Sequence, residues 1–318
     1  LVPVVVSGFD RSRPWTLVSS LAKMARARRE LAARFDATCW PDVAIGFGAY
    51  VEMALLDACR AHGVPYLVHE QNSVPGLANK SMAKRAAAVC VSVPAAREAF
   101  SRAGVAESAM VLTGNPVRSS VISATREAGR AAFGIPEDRT MVLVFGGSLG
   151  AASINAAAGR LKAELLSRPD VVVVQSTGAE GFDQAVEELA LTPAEQARWR
   201  VMPYISNMGE ALAACDLVLS RAGASSIAEV AATATPSVLV PYPRATADHQ
   251  TTNARYLTDA GAAVMFPDSE LGGEAFSREL LSLVDDAARR QAMRDAARGL
   301  GQERAAAALA DEVERALR

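Results

Sequence analysis

The stretch Met141-Val-Leu-Val-Phe145 runs into Gly146-Gly147-Ser148-Leu149-Gly150 and on to Ala151. Five apolar residues in a row suit a strand buried on both faces rather than a half-solvated one. The glycines demand a tight turn, and the alanine-rich residues 154–167 read as a helix. Strand, glycine turn and helix in that order open a parallel α/β unit.

Working outward, apolar runs of strand length recur at 43–47, 66–69, 88–92, 110–113, 171–175, 217–220, 237–240 and 262–266, with another at 2–6. Helix-length stretches such as 51–61, 77–86 and 119–133 separate them. The fold class expected is α/β, with parallel sheets covered on two sides. At ~150 residues per domain, 318 residues hold two domains. The boundary is expected near 115–118, giving an N-terminal domain over 1–117 and a C-terminal domain over 118–299, with a closing helix at about 300–318.

A net charge of −2 excludes global attraction to nucleic acid, and a chain 50% apolar and 21% charged can bury two cores. Cys39, Cys59, Cys90 and Cys215 lie far apart without a CxxC pair, which argues against a zinc ribbon or a disulfide framework and fits a reducing compartment. No apolar run approaches the ~18 residues of a spanning helix. The chain opens on Leu1 rather than Met and enters the 2–6 strand directly, so an upstream segment is expected to precede it.

The unusual residues fall just after strands: Gly46-Phe-Gly-Ala-Tyr50, His69-Glu-Gln-Asn72, Thr113-Gly-Asn-Pro-Val-Arg118, the 146–150 loop, Ser220-Arg-Ala-Gly223 and Pro241-Tyr-Pro243. Open parallel sheets bind ligands outside the carboxyl ends of their strands. The 146–150 loop admits a phosphate cradle, since glycines allow close backbone approach and the helix start offers free N–H groups. A dinucleotide reading fails on the glycine spacing and on Gln175-Ser176, where an acidic residue would be needed for the ribose. The same loop also spells GxSxG, the nucleophile elbow of serine hydrolases, with Ser148 as nucleophile and Asp248-His249 as the downstream partners. A turn that needs glycine for packing alone is the bland alternative.

Glu229 lies one turn inside a helix at 225–232 that follows the Arg221-Ala-Gly223 turn. It can accept both hydroxyls of a ribose, or simply favour the helix N-terminus. Asp248-His-Gln250-Thr-Thr-Asn253 is either a polar binding run or a helix start capped by Asp248. The four polar side chains of His69–Asn72 are costly to bury unless they bind something, with capping by Asn72 or Ser73 as the alternative. His62, His69 and His249 have no ligand-like spacing, and no acidic pair resembles a sugar-nucleotide metal site, so neither a metal nor another cofactor is expected.

Between Asp10 and Arg34, the basic residues Arg11, Arg13, Lys23, Arg26, Arg28, Arg29 and Arg34 outnumber Asp10 and Glu30, a local charge of +5. Leu17, Val18, Leu21, Met24, Ala25, Leu31, Ala32 and Phe35 form an apolar helical stripe after Pro14. This reads as a core-packed helix with a solvated basic face, or as a surface on anionic lipid with Phe9 and Trp15 at the interface.

Taken together, His69-Glu-Gln-Asn72 with Pro75-Gly-Leu-Ala-Asn-Lys80, Gly114-Asn-Pro-Val-Arg118, Phe145-Gly-Gly-Ser-Leu-Gly-Ala151, Ser220-Arg-Ala-Gly223 with Glu229, and Asp248-His-Gln-Thr-Thr-Asn-Ala254 resemble the MurG family over essentially the whole chain. These are bacterial transferases that add N-acetylglucosamine to undecaprenyl-pyrophosphoryl-N-acetylmuramyl-pentapeptide, converting lipid I to lipid II. The resemblance implies two Rossmann-like domains facing across a cleft, the glycosyltransferase B arrangement, with the last helix returning to the first domain. It implies UDP-N-acetylglucosamine and lipid I as partners, and a peripheral place on the cytoplasmic face of the membrane. By the same resemblance, Gly147, Ser148 and Arg118 would contact the diphosphate and the backbone of Ile205 the uracil. Glu229 would take the ribose, Ala224, Ser225, Ser226, Ile227 and Ala228 would approach the phosphates, and Gln250 the sugar hydroxyls. Asn72 would reach the nucleotide from the first domain, and His69 and Tyr50 are the candidate bases. The chain departs from the family at Ser225-Ser226-Ile227-Ala228, where bulkier apolar or threonine residues are usual. It also departs in lacking the family's histidine-bearing glycine loop after the first strand, so donor binding is expected more firmly than turnover.

Overall fold

A computed structural model describes residues 3, 4, 6, 15–300 and 302–318. The chain divides into two compact units, Leu1–Asn115 with Arg304–Arg318, and Pro116–Glu303.

Among the described residues, the first unit is built on four parallel strands, β1 (Ala44–Gly46), β2 (Tyr66–Glu70), β3 (Ala88–Val91) and β4 (Met110–Leu112), side by side in chain order. Parallel neighbours need crossovers, and the helices Tyr50–Ala61, Leu77–Ala83 and Ala95–Arg102 supply them. On one face of the sheet, Tyr66, Val68, Val89 and Val91 pack with Leu56, Met82 and Phe100. On the other, Leu67, Ala88 and Cys90 pack with Leu309 of the helix Ala305–Ala316. Two covered faces explain why these strands read as unbroken apolar runs.

The helix Thr16–Ala37 is seated mainly by Ala27 and Leu31 against Ala54, with Met24 and Phe35 at the margin. The expected apolar stripe is therefore only partly buried. Val18 and Leu21 are 73% and 60% exposed, because only the second half of the helix reaches the core. Of the strand expected at 2–6, Val2 and Val5 lie outside the described residues, while Val4 and Val6 pack against that same small cluster. Phe9, Arg11, Arg13 and Pro14 also lie outside them.

The second unit holds six parallel strands, β5 (Thr140–Phe145), β6 (Val171–Ser176), β7 (Trp199–Met202), β8 (Leu217–Ser220), β9 (Ser237–Leu239) and β10 (Ala263–Met265). Their order is β10-β9-β8-β5-β6-β7. The chain starts in the middle at β5, builds outward to β7, then returns to place β8 on the other side of β5. That is the doubly wound order, and its direction reverses between β5 and β8. Met141 to Phe145 are at most 3% exposed, and burying each large apolar side chain contributes about 1.5–3 kcal/mol.

Three local features differ from expectation. β7 was not anticipated, since Trp-Arg-Val-Met on a sheet edge carries little strand pattern. Residues 119–133 form two short helices, Ser119–Ile122 and Arg126–Ala132, because the Thr125 hydroxyl accepts from Ala128 N–H and starts the second one afresh. Residues 154–167 likewise divide into Ala152–Arg160 and Lys162–Ser167.

Candidate functional site

In the second unit, the register pairs Phe145 with Ser220, so β5 and β8 end level with each other. The 146–150 loop and the 221–223 turn therefore leave the sheet side by side, at the point where the strand order reverses. This is where a doubly wound sheet leaves an open crevice.

Backbone geometry makes the loop's glycines obligatory. Gly147 and Gly150 have φ of +93° and +77°, in the left-handed region that favours glycine. A Cβ on Gly150 would collide with the Thr177 carbonyl, and one on Gly146 with the backbone of Ala151. Ser148 stands exposed at the loop's turn. The helix Ala152–Arg160 behind it has no side-chain cap at Ala151, and Ala224–Ala232 has none at Gly223. Two nine-residue helices thus begin at one edge of the sheet without a side-chain cap from the residue before them.

Glu229 and Arg118, 111 positions apart, meet here, with Arg118 Nη2 donating to Glu229 Oε1 at 3.1 Å. The guanidinium is 60% exposed and the carboxylate 16%, so the pair sits at the crevice with the arginine outermost. Ser225 is exposed and Ser226 half-buried. Ile227 and Ala228 are buried in the core, so their side chains are not open to a ligand. Ile205 is 1% exposed in the loop after β7, again leaving its backbone as the usable group. Gln250 Oε1 accepts from Tyr242 N–H at 2.9 Å, which ties the helix His249–Thr258 to the loop after β9 and leaves Nε2 available to donate.

Sequence reasoning missed Arg221. Only 9% exposed, it donates to the carbonyls of Val240 and Pro241 and to Ser153 Oγ, and pairs with Asp268 at 2.5 Å. Ser153 belongs to the first turn of the helix behind the glycine loop and itself donates to Asp268 at 2.6 Å. One guanidinium therefore holds the ends of β8, β9 and β10 in register with the cradle. Its partners are 19 to 68 positions away, so no local pattern could reveal them.

In the first unit, the polar run after β2 is a closed network. Glu70 accepts from Asn72 N–H and Gly76 N–H at 3.0 Å and from Asn79 Nδ2 at 2.8 Å. Asn72 is half-buried and bends its own amide back to Glu70. His69 is fully buried, with Nε2 donating to the Gly114 carbonyl at 2.9 Å and Nδ1 accepting from Gln71 Nε2 at 3.1 Å. Burial holds its pKa below the usual imidazole value, despite the Gly114 contact. A neutral ring with both nitrogens engaged has no lone pair for a substrate proton, so the expectation that His69 acts as base is corrected to a scaffold role. Tyr50, the first residue of its helix, is 40% exposed.

Among the described residues, no group of three or more His, Cys, Asp or Glu side chains is arranged to hold a metal ion, and no helix is long and apolar enough to cross a membrane.

Two parallel α/β units, one of them doubly wound with a glycine loop at its switch point, are the architecture of the glycosyltransferase B type fold. Residues 141–313 match the Glycosyltransferase family 28 C-terminal domain, and residues 2–91 match the family 28 N-terminal domain. The chain is 40% identical over 315 residues to the UDP-N-acetylglucosamine--N-acetylmuramyl-(pentapeptide) pyrophosphoryl-undecaprenol N-acetylglucosamine transferase of Salinibacter ruber, covering 98% of this chain and 82% of that one. It is 37% identical to the transferase of the same name from Moorella thermoacetica, over 95% of this chain and 81% of that one. The crystal structure of Acinetobacter baumannii MurG is similar at a TM-score of 0.72 and 26% identity, covering 93% of this chain and 79% of that one. The chain belongs to the MurG family of glycosyltransferases.

That membership removes the serine hydrolase alternative. The local geometry agrees: Asp248 accepts from the Thr251 hydroxyl at 2.7 Å, and His249 Nδ1 faces the Thr246 carbonyl at 2.8 Å, so that carboxylate does not orient the histidine as a triad requires.

Proposed function

We propose that this chain transfers N-acetylglucosamine from UDP-N-acetylglucosamine to the muramyl sugar of lipid I, giving lipid II. Two observations carry the proposal: the glycine loop leaves the sheet beside the 221–223 turn at the switch point, and Arg118 pairs with Glu229 on the helix that follows that turn. A carboxylate there accepts the two ribose hydroxyls, while loop N–H groups and Ser148 meet the diphosphate. Donor binding then draws Arg118 from Glu229 towards the phosphates, which are the stronger partner for a guanidinium fork. The main chain of Ile205 reads the uracil edge, that of 224–228 closes over the phosphates, and Gln250 Nε2 addresses the sugar.

In the reaction, an acceptor hydroxyl attacks C1 of the sugar with inversion as the C1–O bond to UDP breaks. Negative charge grows on the leaving diphosphate, where fixed donors are worth most: the loop N–H groups, Ser148 and Arg118. The acceptor hydroxyl loses its proton to a general base, for which Tyr50 is the exposed candidate on the first unit. Incubating the protein with labelled UDP-N-acetylglucosamine and a lipid I analogue tests this directly. Transfer of label to the lipid with inverted anomeric configuration is expected; label released as free sugar would contradict it.

The first unit is proposed to rest on the anionic cytoplasmic face of the membrane. Trp15, Val18 and Leu21 are 71%, 73% and 60% exposed, and Lys23, Arg26 and Arg29 stand exposed on the same helix. Apolar side chains beside cations suit a lipid interface, each cation adding about 1 kcal/mol near an anionic surface. Replacing Lys23, Arg26 and Arg29 by glutamate is expected to weaken binding to phosphatidylglycerol vesicles by at least tenfold, roughly one cation's worth or more. Unchanged sedimentation with vesicles would remove this surface from the proposal.

A further inference from the structure

Glu52 is a carboxyl group that nothing above uses, yet it is buried at 4% exposure in the first turn of the helix Tyr50–Ala61. It folds back over the Gly46–Tyr50 loop and accepts from Gly48 N–H through Oε2, with the N–H groups of Ala49 and Phe47 also turned towards it. Gly48 has φ of +87°, and successive N–H groups around a left-handed residue form a concave nest of donors. The chain's own carboxyl fills that nest. Its other oxygen, Oε1, is buried without a hydrogen-bond partner.

A second buried acceptor belongs to a residue that borders the same loop. Asn79 is fully buried, and its Nδ2 donates to Glu70 Oε2 at 2.8 Å and to the His69 carbonyl at 3.1 Å. Those two bonds fix the amide's orientation and leave Oδ1 buried without a donor. The Asn79 amide borders Gly48 through its nitrogen, with Nδ2 3.2 Å from where a Cβ would stand. Two buried acceptors on residues that border one glycine would each cost about 1–3 kcal/mol if both stayed unmet. One hydrogen between them satisfies both.

We propose that Glu52 is a positioning residue which, in its protonated form, donates from Oε1 to Asn79 Oδ1, directly or through one water, and so clamps the Gly46–Tyr50 loop to the wall built by His69, Glu70 and Asn79. The surroundings favour that proton. Burial pushes the Glu52 carboxyl up to about 7, outweighing the loop N–H groups that favour the anion, and Glu70 raises it further. Glu70 on β2 is the charged side chain that acts on it; His69 on β2 is held neutral, Asn79 on the next helix is uncharged, and Arg28 on the long helix is turned to Asp57 instead. The clamp therefore holds below about pH 7 and loosens as the proton leaves. The loosened loop carries Tyr50 and gains a second buried negative charge beside Glu70, which disfavours an anionic acceptor.

The functional part rests on the proposed transfer reaction, and the spectroscopic part does not. With lipid I analogue as acceptor, the acceptor KM is expected to rise about tenfold between pH 6 and pH 8.5, one lost buried hydrogen bond, with the donor KM unchanged. In Glu52→Gln the side-chain amide donates at every pH, so the acceptor KM should stay flat across that range. A wild-type profile retained in Glu52→Gln would overturn the proposal, as would an equal change in donor KM. Independently of activity, difference infrared spectra between pH 6 and pH 8.5 should show a protonated carboxyl carbonyl band that is absent in Glu52→Gln. A spectrum with no such band at pH 6 in the wild type would overturn the clamp, whether or not the protein transfers sugar.

Discussion

Replacing Glu229 by alanine is expected to weaken binding of UDP-N-acetylglucosamine about 100-fold, since two charge-assisted hydrogen bonds are lost at roughly 1.5–3 kcal/mol each, less what water recovers. The loss should be specific to the ribose. Binding of inorganic pyrophosphate, which has no diol, should change little or improve, because Arg118 is then released from its partner at 3.1 Å. Folding should be unaffected, because the carboxylate pairs with the largely exposed Arg118, and such pairs contribute at most about 1 kcal/mol. Calorimetric titration of both ligands against both proteins separates these outcomes. An equal loss for pyrophosphate would mean that Glu229 shapes the whole crevice rather than the ribose end of it.

The second large effect is expected from Gly150→Ala. The added methyl meets the Thr177 carbonyl at a residue whose φ is +77°, so both the space and the backbone conformation oppose it. A left-handed alanine costs about 1–2 kcal/mol on conformation alone, and the collision adds to that. Because the 146–150 loop leads straight into the helix Ala152–Arg160, any relief of the clash displaces the helix N-terminus that is proposed to meet the diphosphate. UDP binding should fall by more than 100-fold, about 2.7 kcal/mol or more, while the melting temperature drops by several degrees. Gly147→Ala is the informative control: it is equally left-handed at +93°, but its methyl would point into open space. It should show the conformational cost without the collision, and so a smaller loss. Equal effects at the two positions would mean that backbone strain alone governs the loop.

Much of this architecture was legible in the sequence because parallel strands buried on both faces announce themselves. Met141 to Phe145, Val171 to Val174 and Leu217 to Leu219 are continuous apolar runs for a physical reason, the helices on either side of the sheet. The glycine loop was legible because its backbone geometry restricts the residue type at Gly147 and Gly150. β7 was not, since an edge strand with Arg200 in the middle has neither the run nor the alternation. The hidden parts of the site share one property: they depend on partners far along the chain. Arg118 and Glu229 are 111 residues apart, and Arg221 reaches Ser153 across 68. Glu52 and Asn79 each look like ordinary surface-helix residues until the fold buries them against the same glycine. His69 was misread for the same reason. A histidine after a strand resembles a base, and only the Gly114 carbonyl, 45 residues on, shows that its ring is already spent.

The most direct measurement is a calorimetric titration of the protein with UDP-N-acetylglucosamine, set against UDP-glucose and UDP-galactose, without added divalent metal. Saturable binding at one site per chain is expected, tightest for UDP-N-acetylglucosamine and largely abolished by Glu229→Ala. No saturable heat at millimolar donor, or binding that Glu229→Ala leaves untouched, would contradict a nucleotide-sugar site at the switch point of the second unit.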